Sequence, residues 1–132
     1  MNKRIERMIP VAYSAVSDNL VSDQSAISKQ YNGYISSFGA SVIQSGMLLA
    51  LIFYHQSDAN SEQDRGALMK AIRQVVISEG HNMAQNMNLL DYFRTMEEER
   101  SKQKRLTQCI LDAATAIKLV IRTFQLIDDG NN

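Results

Sequence analysis

Four cations, Arg100, Lys104, Lys118 and Arg122, recur at helical spacing near the C-terminal end of the chain. At 100° per residue they fall, with Gln108, Leu111 and Thr115, within an arc of about 80°, spread over roughly 33 Å of helix axis. No acid interrupts this stripe, and Asp112 sits at its edge. Spaced cations on a rigid rod suit phosphate, because each neutralised phosphate releases counterions whatever the base sequence. The same pattern also serves as the solvated face that any long surface helix requires. Two other basic groups, Lys3, Arg4 and Arg7, and Arg65, Lys70 and Arg73, are interleaved with acids and read as ordinary surface.

Other chemistry finds little support. His81 has no His, Cys or carboxylate one helical turn on, and His55 has only Asp58, in a polar loop, so no metal site is expected. The glycines at 33, 39 and 46 do not match a phosphate-binding loop, and no Ser, His and Asp order stands out. Apart from Asp112 in the last helix and Glu79 at the end of its helix, the acids lie at helix starts, in loops or in the tail, and none sits in an apolar run where burial would raise its pKa for acid–base work. Neither catalysis nor a cofactor is expected. Cys109 is the only cysteine, which rules out an internal disulfide and fits a reducing compartment. It falls beside an apolar seam and reads as a buried apolar residue.

The elements that must position the stripe follow from length and periodicity. The 132 residues suit one domain, expected over 1–129 with a disordered tail at 130–132. Fourteen basic residues balance fourteen acidic ones, so only a patterned patch can speak for a charged partner. The N-terminus has no clean apolar core for a signal peptide. The run from Met47 to Tyr54 is far shorter than the ~20 residues that span a bilayer. A soluble cytoplasmic protein is expected, with no membrane partner.

The fold class expected is all-α, a compact bundle of five or six helices with a long C-terminal one. A first helix covers about Lys3–Ser17, with Ile5, Met8, Ile9, Ala12 and Val16 inward, and Pro10 either kinks it or begins its regular part. Residues 18–26 form a polar break. Residues 31–54 form one long helix or two stacked pieces. Ser61, with Asp64 three positions on, caps a helix to about Glu79 that turns Leu68, Ala71, Ile72, Val75 and Val76 inward and stops at Gly80. Asn88 caps a short helix carrying Leu89, Leu90, Tyr92 and Phe93. Thr95 and Glu98 form a T-x-x-E capping box for the last helix, which runs to about Ile127, roughly 45 Å. No segment alternates like a strand.

Opposite the basic stripe, Leu106, Ile110, Ala113, Ile117, Val120, Phe124 and Ile127 repeat with heptad-like spacing. The seam either packs on the protein's own helices or joins two copies, as in a homodimeric interaction module or small regulator.

The most apolar run, residues 31–54, also holds three glycines and four serines. As a helix it places Ser36, Gly39, Gly46 and Ala50 on one narrow stripe, with Ile43 among them, where a neighbouring helix can come close, and Ile35, Phe38, Val42 and Leu49 as an adjoining apolar band. Alternatively, Gly46 ends one helix and a second starts at Met47.

The order K-x-Y-x-G-Y-I-S-S-F-G-A-x-V-I-Q-S-G from Lys29 to Gly46, followed by L-x-x-L-x-F-Y from Leu48 to Tyr54, resembles the signature block of the small subunit of type III-B, Cmr-type CRISPR RNA-guided effector complexes. The resemblance implies a compact α-helical subunit without catalytic activity, acting in antiviral defence. Several copies stack head to tail beside a filament of backbone subunits that holds the guide RNA. The groove between the filaments receives the guide–target duplex, and basic side chains line it. Target cleavage belongs to the backbone subunit and signalling chemistry to the large subunit. The implied partners are those two subunits, further copies of this chain, guide RNA and target RNA. Polar positions of the family block match at Lys29, Tyr31 and Gln44. The candidate RNA-binding residues are therefore Lys29, Gln44, Arg100, Lys104, Lys118 and Arg122.

Overall fold

The computed structural model describes residues 2–22, 25–56 and 64–128. Six helices and two short strands appear among them. The tail expected at 130–132 and the expected cap Ser61 lie outside the described residues.

Helix α1, Lys3–Asn19, starts at Asn2, whose side chain accepts from the Arg4 and Ile5 amides at 2.8 and 3.4 Å. Those bonds satisfy two of the otherwise unpaired first-turn donors. Pro10 lies within α1 on its exposed side and does not begin it. Helix α2, Lys29–Ser45, is capped by the Ser28 hydroxyl, and α3 covers Met47–His55. Helix α4, Arg65–Ser78, takes its cap from Asp64, which accepts from the Gly66 amide at 2.7 Å. Gly80, at φ +98°, closes the turn after it. Asn88 caps α5, Leu89–Arg94, as expected.

Gly46 separates α2 from α3 at φ +89° and ψ 163°, backbone that side-chain-bearing residues seldom adopt. The break decides which residues face inward. Phe38, from α2, meets Tyr54, from α3, edge-on with ring centroids 5.2 Å apart, and the Tyr54 hydroxyl donates to the Tyr34 carbonyl at 2.8 Å. Met47, Ala50, Leu51 and Tyr54 are buried. Leu49, expected in the band with Ile35, Phe38 and Val42, turns outward and is 57% exposed, because α3 restarts with a different phase. The expected close helix approach is also absent at the glycines of the small-residue stripe among the described residues. A Cβ built on Gly33, Gly39 or Gly46 meets no heavy atom within 4 Å.

The last helix, α6, is Arg100–Ile121 and is shorter than expected at both ends. Thr95 forms no capping box. It ends α5 instead, its hydroxyl donating to the Tyr92 carbonyl at 2.6 Å, and Glu99 begins α6 without a side-chain cap bond. At the other end, residues 125–127 leave the helix and form strand β2, Gln125–Ile127, parallel to β1, Ala26–Ser28. The sequence pattern predicts no strand here. The partner that makes strand pairing favourable lies about a hundred residues away in sequence, so local periodicity carries no trace of it.

Helix α6 is the centre of the fold. Leu106, Ile110, Ala113, Ile117 and Val120 are at most 1% exposed, so the first five seam positions serve the protein's own core. Each large aliphatic side chain so buried contributes about 1.5–3 kcal/mol. Arg4 lies beside Asp112, and Tyr13 beside Thr123, so α1 and α6 run in the same direction. Helix α2 runs the opposite way along the other flank. Asn32 lies beside Arg122, whereas Val42 and Ser45 share a surface groove with Gln103 and Thr107.

Candidate nucleic-acid interface

With α1 on one flank and α2 on the other, the remaining face of α6 is the one that carries the cations. Arg100, Lys104, Gln108, Thr115 and Arg122 are exposed, and Leu111 and Lys118 are half-buried. The stripe is therefore a solvent-facing ridge of the bundle.

Asp112 would weaken such a ridge if its charge were free. It is instead 5% exposed and engaged from three sides. Arg4 Nη2 lies 2.6 Å and Arg4 Nε 2.8 Å from Oδ2, Asn2 Nδ2 donates to Oδ2 at 3.5 Å, and Gln108 Nε2 donates to Oδ1 at 3.0 Å. The one acid at the edge of the stripe is thus neutralised by Arg4, in the first turn of α1. A buried pair of this kind has a short-range field, and the ridge keeps its positive character. Arg4 reads as plain surface in the sequence, since nothing local couples residues 108 apart.

The candidates divide into two groups. Lys118 and Arg122 sit one turn apart at the C-terminal end of α6. The β1–β2 pair draws the start of α2 to that end, with Arg122 Nε 3.5 Å from Asn32 Oδ1 and Lys29 Nζ 3.9 Å from Asp128 Oδ2. Lys29 thereby joins Arg122, although 93 residues separate them in the sequence. The Lys29–Asp128 pair is long and its side chains are 59% and 48% exposed, so it is worth under about 1 kcal/mol and yields readily to a phosphate. Arg100 and Lys104 form the second group, about 27 Å away along α6 from Arg100 to Lys118. Gln44 is exposed at the far end of α2, about 22 Å from Lys29, near the second group's half of α6. Tyr31 is no surface contact: it is 5% exposed and meets Tyr34 edge-on in the core.

Two arginines of the remaining basic groups, Arg7 and Arg73, are engaged in structure. Arg7 forms a two-bonded pair with Glu79, at 2.7 and 3.2 Å, which raises the arginine pKa and lowers that of the carboxylate. Arg73 donates to the carbonyls of Ala84, Gln85 and Met87 and holds the connection after α4. Cys109 is 1% exposed, and burial pushes its thiol up to about 11. It is inert packing, as its place beside the seam implied.

A family model described as CRISPR-associated protein (Cas_Cmr5) matches residues 5–124, nearly the whole described chain. The chain belongs to the Cas_Cmr5 family. It is a Cmr-type, type III-B CRISPR-associated small subunit, as the signature block implied. Neither the curated proteins nor the solved structures gave a match. The matched span of this Cas_Cmr5 protein contains all six candidate residues and the Gly46 break. Among its described residues no helix is long and apolar enough to cross a membrane.

Proposed function

We propose that this Cas_Cmr5 chain is a non-catalytic structural subunit of the type III-B effector, stacking in a filament and lining the groove that holds the guide RNA–target RNA duplex in cytoplasmic antiviral defence. The observation that carries this reading is the ridge itself: four cations on the open face of α6, flanked by packed helices, with the neighbouring carboxylate tied to Arg4. A groove liner needs contacts indifferent to sequence, because base pairing between guide and target does the reading. Two cationic groups about 27 Å apart match a protein that touches a duplex backbone at successive points rather than one anion.

Contacts with other protein subunits have support on a different face. Ile43 is 85%, Leu49 57% and Phe53 48% exposed around the α2–α3 break, an apolar group suited to burial against a neighbour in the complex. The homodimer alternative loses its seam, since that surface is already inside the core.

Filter binding of the assembled complex to target RNA across a salt series tests the ridge. Lys118→Ala with Arg122→Ala should weaken binding and flatten the log–log salt slope by about 0.9 for each phosphate no longer neutralised. Unchanged affinity and unchanged slope would overturn the reading.

A further inference from the structure

A cleft of about 580 Å³ opens on the α1 side of α6, lined by Arg4, His81, Tyr92, Lys102, Arg105 and Gln108 together with Met96. Five segments build it: the start of α1, the connection after α4, α5, the turn between α5 and α6, and the first half of α6. Its charge is one-sided, with three cations and no carboxylate in the lining. Arg4 is taken up by Asp112, and Lys102 lies 3.0 Å from Glu99 in an exposed pair. Arg105 is exposed and has no hydrogen bond or ion pair among the described residues. Beside these cations stand two rings. His81 and Tyr92 meet edge-on at 5.8 Å, with His81 Nδ1 3.1 Å from the Tyr92 hydroxyl. Burial and the nearby Arg4 hold the His81 pKa below its ordinary value, so at neutral pH the ring is neutral and braces Tyr92.

Cations beside a braced, half-exposed tyrosine answer both halves of a nucleotide. Phosphate suits Arg105 and Lys102, and a planar base stacks on an aromatic face. Stacking requires a base free of its duplex, because paired bases already have their faces covered. The cleft also continues the ridge: Gln108 belongs to the basic stripe and lines the cleft. We propose that this cleft binds an unpaired nucleotide of an RNA strand, next to the duplex that the ridge holds. The inference rests on the RNA reading of the ridge for its setting, but its test does not.

The test is fluorescence anisotropy of the purified full chain with a labelled ten-nucleotide oligouridylate at low salt. The unmodified protein should bind it. Arg105→Ala with Lys102→Ala, both exposed and remote from the core, should weaken binding about tenfold or more. Tyr92→Leu should weaken it at least about fivefold, whereas Tyr92→Phe, which keeps the ring, should bind nearly as well. Lys70→Ala, which removes an exposed cation outside both ridge and cleft, should change it less than about twofold. No binding of the oligouridylate by the unmodified chain, or equal binding by the Arg105 and Lys102 variant, overturns the proposal. Competition by 5′-UMP at concentrations comparable to the oligomer would assign the cleft to free nucleotides and overturn the strand reading. If the ridge variant leaves duplex binding by the complex untouched while the cleft variants lose the single strand, groove lining fails and the cleft stands. The opposite pattern removes the cleft alone.

Discussion

The glycines of the signature block separate into two kinds that alanine distinguishes. Gly39 lies inside α2 with ordinary helical backbone and open space where a Cβ would go. Alanine there removes unfolded-state freedom and should stabilise by about 0.5–1 kcal/mol. Gly46 also has open space, so no clash opposes alanine, but its φ of +89° with ψ 163° is backbone left almost entirely to glycine. Alanine there should cost about 2–3 kcal/mol, all of it conformational. For 132 residues at about 2.1 cal/mol/K each, the unfolding entropy is about 0.28 kcal/mol/K. Gly39→Ala should therefore raise Tm by about 2–4 °C and Gly46→Ala lower it by about 7–11 °C. Circular dichroism melts at one protein concentration read both. Shifts of the same sign, or a Gly46→Ala loss under about 2 °C, would refute the claim that backbone conformation rather than helix packing selects these residues. Should Gly39→Ala stabilise the free chain yet impair assembly of the effector, the small residue serves a neighbour in the complex.

The buried polar groups give three more tests. Arg4→Met should cost about 2–3 kcal/mol in urea unfolding, since it strands the nearly buried Asp112 carboxylate, and Asp112→Asn in the same chain should recover most of the loss. His55 donates from Nδ1 to the Leu51 carbonyl at 2.6 Å, its buried Nε2 has no partner among the described residues, and burial lowers its pKa from 6.5. The unfolded chain then binds the proton more readily. Stability from this group is present above pH 6.5 and is lost as pH falls from there through the lower folded value, and His55→Phe should flatten that dependence in urea midpoints taken from pH 7.5 to 5. Cys109, with its thiol at about 11, should resist iodoacetamide at pH 8 in the native protein and react once unfolded in urea, as mass spectrometry reads; rapid native alkylation would contradict its burial.

What the sequence made legible is what repeats at helical spacing. The inward set of α4, the buried and open faces of α6 and the cap at Asn88 all rest on periodicity or on side chains a few residues apart. The break at Gly46 is one of two local readings, and burial of Tyr54 against Phe38 decides between them. The illegible parts share one cause: each is settled by residues outside the local pattern. Thr95 and Glu98 have the right spacing for a capping box, yet α5 recruits Thr95 first. Ile127 fits the seam as well as it fits a strand, and only β1 tips it away from the helix.

That last misfit matters most for the candidate site. Had α6 continued to Ile127, its end would project about 9 Å further and leave the start of α2 without a tether. Three residues of parallel strand instead fold the chain end back beside Ala26–Ser28, immediately before Lys29. Each hydrogen bond of so short a ladder is worth only about 1 kcal/mol, but the ladder also closes the path between the two helices. The placing of Lys29 near the end of α6 that carries Lys118 and Arg122 thus depends on β1 and β2, two elements that carry no cation. The basic cluster proposed to meet a phosphate backbone depends on strand pairing, whereas helical periodicity alone supplies only the half of it that lies on α6.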